Sequence, residues 1–374
     1  MALKHTPRIV SGRLGLVALA GLGLLAGLWA GLVRIGWLLP PLQPDLASLH
    51  GPLMVGGFLG LVIALERAVA LDRRWAFAAP LFAGIGSVAL LVGLPTQIGG
   101  ALLIVSSLLL AAIFERIYRL RPEWSTIMLI GGAATWLVGN ALWLSGRPIV
   151  AIVPWWVGFL VLTIVGERLE LAQVLMSGRT RAVLVAAASV LMVGLGLSAF
   201  LFTGGIEMAG VGLLALAAWL LRFDVARRSL RRPGLPRFAS VALLLGYAWL
   251  AVAGVLWLLG PERVAGFWYD AMLHSVFLGF AFSMIFGHAP TIVPAISGVA
   301  VAFDRRFYVH LALLHASLVL RILSDLTAQP DARRWGGLLN EIAILLFVGM
   351  TILASRRGNA SLSRGMGSTG AHVI

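Results

Sequence analysis

Seven histidines and no cysteine set the chemistry open to this chain. Without thiols, disulfides, thiolate metal sites, iron–sulfur clusters and covalently attached c-type haem are excluded. A metal or haem would have to use histidine, methionine, tyrosine, carboxylate or backbone ligands. His50, His274, His288, His310 and His315 fall in or beside apolar runs, whereas His5 and His372 lie in the tails. His274 and His288 share one stretch, FWYDAMLHSVFLGFAFSMIFGHAPTIVPAISG, at 267–298. On a helix their spacing is close to four turns, so they lie on nearly one face, roughly 21 Å apart along the axis. Histidine is unfavourable in hydrocarbon and turns toward a protein interior there. That face therefore looks at other helices.

The elements that must position these side chains are membrane spans. The chain has 374 residues, 60% hydrophobic and only 12% charged, with a mean hydropathy of +0.97. Apolar runs of about twenty residues recur along its whole length, the pattern of membrane-crossing helices. They fall near 14–39, 47–70, 75–94, 98–118, 124–145, 149–171, 182–203, 205–222, 238–259, 267–289, 307–327 and 335–354. The first run is long and lacks a small-residue cleavage site, so it reads as a retained helix rather than a signal peptide. It carries Gly23, Gly27 and Gly31 at four-residue spacing, a ridge suited to close helix packing. The tenth run is expected to break at Pro290 and Pro294.

Charge placement orients the bundle. The net charge of +14 would suit a nucleic-acid partner, but the charges sit between apolar runs, where they set topology. With the N-terminus cytoplasmic, all of the 29 basic residues except Arg34, Arg147, Arg263, Arg321, Arg333 and Arg334 fall on the cytoplasmic side. The expected fold is thus all-α: a polytopic bundle of about twelve transmembrane helices with both termini cytoplasmic. Residues 1–355 read as one transmembrane domain, and 356–374, polar and rich in glycine and serine, as a disordered cytoplasmic tail. The longest loop, RFDVARRSLRRPGLPR at 222–237, reads as a topology determinant touching anionic lipid.

Depth sorts the histidines into two tiers. His50 and His274 lie outside the midplane, and His288, His310 and His315 inside it. A bis-histidine haem needs two imidazoles at one depth on facing helices, and the outer pair meets the depth condition. The inner trio could hold a second haem, or a copper or zinc ion. His310 and His315 point roughly 140° apart on their helix, so at most one of them would join His288. For each histidine the alternative is a satisfied structural group. Glu341 is an intramembrane carboxylate, a candidate proton relay or partner of Arg321. Arg321 and Asp325 could instead pair with each other at i,i+4. Asp270, one turn before His274, could orient that imidazole. The pairs Glu66-Arg67, Glu115-Arg116 and Glu167-Arg168 end three helices at the cytoplasmic side. They read as arginines snorkelling to headgroups with glutamates turned inward.

The run from His274 onward resembles the histidine-bearing helix of the NnrS family. The shared elements are the histidine, a Gly-Phe-Ala at Gly279, Phe280 and Ala281, an Ile-x-Gly at Ile285 and Gly287, and an exit through Thr291, Val293, Pro294 and Gly298. His50-Gly-Pro-Leu-Met54-Val-Gly56 is more broadly similar to helix 2 of the haem–copper oxidase superfamily, where such a histidine binds haem. The paired histidines of an oxidase copper site are absent, and His288 stands where an aromatic or aliphatic residue is more usual. The resemblance implies a twelve-helix protein of the bacterial cytoplasmic membrane with b-type haem on His50 and His274. It further implies copper as a second cofactor, and an electron donor or nitric oxide as partner. The rival readings are a proton-coupled or metal-ion transporter with a broken tenth helix, and a non-catalytic membrane assembly protein.

Overall fold

A computed structural model describes residues 7–40, 42–172 and 176–368. Among the described residues there is no strand. Twelve helices among the described residues are long and apolar enough to cross a membrane. They are α1 Gly12–Arg34, α2 Leu46–Leu71, α3 Arg74–Leu91, α4 Thr96–Leu120, α5 Trp124–Leu144, α6 Ile149–Ala172, α7 Gly178–Ser198, α8 Phe202–Phe223, α9 Leu235–Leu259, α10 Gly266–Ser297, α11 Phe307–Leu326 and α12 Pro330–Arg357. The chain is an integral membrane protein, an all-α polytopic bundle as its apolar runs require. Helical structure continues beyond α12 as far as Ser368, past the polar boundary at 356. His5 and His372 lie outside the described residues. Twelve crossings bring the chain back to the face where it started, here called basal, and the opposite face is apical.

Most helices pack against their sequence neighbours, as short loops dictate, but α10 is the hub. It touches α1, α2, α6, α9, α11 and α12. The glycine ridge of α1 is what lets α2 approach. A Cβ on Gly23 would stand 2.7 Å from the carbonyl oxygen of Gly57, and one on Gly27 would stand 2.6 Å from the Met54 sulfur. The backbones meet because no side chains intervene.

The interruption expected in α10 is not at its prolines. The helix runs through Pro290 and Pro294 to Ser297 and stops at Gly298, which adopts a left-handed φ of 73°. Proline removes one backbone hydrogen bond, and neighbouring helices hold the segment straight enough to continue. The irregularity lies higher, in an eight-residue π-helical stretch over Ser275–Phe282. The same feature occurs in α2 over Leu53–Gly60. Each wide stretch begins within three residues after a histidine, His274 in α10 and His50 in α2. π-Helical turns shift side-chain register within a helix and are frequent at functional sites. The two stretches face each other: Phe58 and Phe282 stack at 5.9 Å, eight residues below His50 and His274 respectively.

Candidate functional site

The apical half of α2 and α10 brings the two outer histidines together. Their ring centroids are 6.3 Å apart with planes inclined at 33°. His50 Nδ1 lies 2.8 Å from the carbonyl oxygen of Gly27. His274 Nδ1 lies 2.9 Å from the carbonyl of Asp270. A neutral imidazole that donates through Nδ1 keeps a lone pair on Nε2, so both backbone contacts select the tautomer that can ligate. The Gly27 contact depends on the bare α1 surface: at Gly31 a Cβ would stand 3.0 Å from the His50 ring.

The pair opens on a cavity of about 560 Å³ between α1, α2, α6, α10, α11 and α12. Its walls include Met54, Val153, Trp156, Phe277, Phe282 and Ile344, with Tyr269, Glu341, Arg34 and Arg333 among the polar lining. Trp156 is held by a 3.1 Å donation to Asn140, which in turn bonds the Leu103 carbonyl. The Tyr269 hydroxyl is buried with no hydrogen-bond partner. Glu341 also has none among the described residues and shares the space in front of Gly31 with the His50 ring. It is not the partner of Arg321.

Arg321 pairs with Asp270 instead, through two parallel bonds of 2.8 and 3.0 Å. The i,i+4 alternative fails because Asp325 meets Arg333 at 3.0 Å, and Arg333 also reaches Asp270 at 3.0 Å. This alternating set ties α10, α11 and α12 together behind His274. Asp270 Oδ1 lies 3.3 Å from His274 Nδ1, so the carboxylate that sequence spacing suggested is beside the ring. The shorter contact, however, is the Asp270 backbone carbonyl.

The inner trio is not brought together. His288 Nδ1 faces the Met284 carbonyl at 2.8 Å, and its Nε2 lies 3.1 Å from Arg168 Nη1. His310 is fully buried among Phe238, Phe286, Phe307 and Phe347, and neither ring nitrogen has a partner. His315 Nδ1 accepts from Trp249 at 2.9 Å, leaving a buried Nε2 unpaired. Among the described residues no group of three or more histidines and carboxylates is arranged to hold a metal ion. Distance along α11 and opposite helix faces separate side chains that depth alone had grouped.

Two arginines also reverse the snorkelling expectation. Arg168 is buried in a two-bond pair with Asp224, both bonds 2.8 Å. Arg67 points inward to Glu167 at 2.5 Å and Glu66 at 3.4 Å. Glu115 pairs with Arg119, and Arg116 remains exposed as expected. A guanidinium with a facing carboxylate is better placed inside than at the lipid boundary.

Residues 13–356 match a family described as a domain of unknown function, DUF8744. The chain belongs to that family. Its description assigns no activity, and no curated protein and no solved structure matches the chain.

Proposed function

We propose that this DUF8744 protein binds haem between α2 and α10, through His50 and His274. The observation that carries the reading is the imidazole pair itself. His50 and His274 would hold the group between them, since their ring centroids stand 6.3 Å apart across one cavity. Both Nδ1 atoms are occupied by carbonyls, and both rings line one cavity. Its volume lies within the usual range for small-molecule sites. The lining suits a flat, mostly apolar cofactor with acidic groups: Phe277, Phe282 and Ile344 along the walls, Arg34 and Arg333 among the polar groups. Haem held by two imidazoles supplies one-electron redox chemistry. The chain's own part is to hold both imidazoles protonated at Nδ1 with Nε2 unprotonated, to back His274 with the Asp270–Arg321 pair, and to exclude water with aromatic walls.

The expected setting is the one the NnrS resemblance implies: a bacterial cytoplasmic membrane, with nitric oxide or respiratory redox metabolism as the context. The ring nitrogens do not suit copper at the inner trio. His288 has both nitrogens engaged, and His315, accepting at Nδ1, carries its proton on Nε2. His310 sits among phenyl rings. No copper step is proposed.

The test is a reduced-minus-oxidised optical spectrum of the purified protein in detergent, expressed with ample haem supply. The expected result is a Soret band lost in both His50→Ala and His274→Ala. A colourless wild type would falsify the haem reading. It would favour a transporter in which Glu341 and Arg34 line a substrate path.

A further inference from the structure

The stretch 222–237, from the last turn of α8 to the first of α9, carries six arginines, Arg222, Arg227, Arg228, Arg231, Arg232 and Arg237, all exposed. None has an ion-pair partner among the described residues. The acid of that loop, Asp224, is already bound to Arg168 and to the amide of Ala226. The loop is nevertheless built. A short helix spans Ala226–Ser229, Gly234 turns the chain at φ 80°, and Arg237 Nε donates to the Leu230 carbonyl at 3.0 Å. Three of the arginines, 227, 231 and 237, converge with Leu221, Leu230 and Leu244 on a concave site of about 710 Å³.

We infer that this basal pocket binds an anionic phospholipid, its phosphate on Arg227, Arg231 and Arg237 and the start of its acyl chain along Leu221 and Leu244. Three guanidiniums sharing one hollow without a counter-charge repel each other, and a phosphate relieves that repulsion through charge-assisted bonds. The leucines choose between a free phosphate and a lipid. Leu244 lies seven residues beyond Arg237 on α9, about 10 Å further into the span. The hollow thus runs from the headgroup level into the hydrocarbon, where inorganic phosphate has nothing to fill it and an acyl chain does. Basic pockets between helices on the arginine-rich face are where anionic headgroups are recognised. This site is remote from the histidine pair and does not depend on haem.

The delipidated full-length protein in detergent, titrated with phosphatidylglycerol, phosphatidylcholine or inorganic phosphate, tests the assignment by native mass spectrometry and thermal shift. Phosphatidylglycerol is expected to remain bound and to raise the melting temperature. The triple variant R227Q/R231Q/R237Q is expected to bind it about a hundred-fold more weakly. The control R222Q/R228Q/R232Q, which removes the same charge outside the pocket, is expected to bind it nearly as wild type. Leu244→Trp fills the apolar end while keeping every arginine, and is expected to weaken lipid retention even if the triple variant does not fold. Equal loss in both triple variants, or equal retention of phosphatidylcholine, overturns the site. Phosphate matching the lipid's effect, with Leu244→Trp inert, reduces it to a free-anion site and overturns the lipid assignment.

Discussion

The apical and basal halves of α10 treat histidine in opposite ways. At the apical end His274 donates its Nδ1–H to a backbone carbonyl, its other nitrogen has no hydrogen-bond partner among the described residues, and the ring lines a cavity with His50 of α2. At the basal end His288 uses the same kind of i−4 carbonyl, Met284, but its second nitrogen is taken by Arg168. One arrangement leaves a nitrogen free for the proposed ligation, and the other completes a structural network. The lesson is that an intramembrane histidine is read from its second nitrogen. Burial and one hydrogen bond are common to both.

The largest expected effect tests that contrast directly. His50→Ala and His274→Ala are each expected to abolish the haem Soret band, whereas His288→Ala and His315→Ala keep it, measured per mole of protein in detergent. If His288→Ala removes the band as completely as His274→Ala, the two ends of α10 are not different in kind. Next comes the basal network. Arg168→Ala strands the buried Asp224 carboxylate and is expected to destabilise the protein by about 3–5 kcal/mol, read by chemical unfolding in detergent, with the haem content of the folded fraction unchanged.

A smaller effect is expected where α1 meets α2. Gly23→Ala puts a methyl group against the Gly57 carbonyl, which is backbone and cannot swing away. Overpacking of this kind costs about 1–3 kcal/mol. Because His50 leans on the Gly27 carbonyl of the same helix, haem occupancy should fall with stability; a variant of unchanged stability and full occupancy would separate the ridge from the site. The smallest effect concerns His310. Both of its nitrogens are buried and unpaired among four phenyl rings, so His310→Leu is expected to stabilise the protein by about 1 kcal/mol. A marked loss of stability would mean that the imidazole has a partner in the membrane.

Much of the fold was legible in the sequence because hydrocarbon imposes it. Twelve apolar runs must become twelve helices, since no other structure with open ends satisfies its backbone there. Boundaries slipped where polar groups were weak markers, as at α7, which begins at Gly178 rather than near 182. The prolines of α10 misled because proline removes a hydrogen bond without removing the packing that surrounds it. Depth, which is linear in residue number, also brought His50 and His274 to one level before any packing was known.

What depth could not supply was azimuth and partner choice. Nothing local in Arg67 or Arg168 distinguishes a snorkelling arginine from one drawn inward by Glu167 or Asp224, because the attracting carboxylates lie on other helices. Likewise Arg321 chose Asp270 of α10 over its own i+4 neighbour Asp325, and Glu341 was left facing the cavity. By itself the sequence determined that the chain spans a membrane twelve times and that two histidines share a level in its apical half. Hydropathy and helical rise are properties of one segment at a time. Only the tertiary structure decided which histidines line a cavity and which nitrogens find partners, for that depends on a bare glycine ridge on α1 and two π-helical stretches, in α2 and α10, meeting in space.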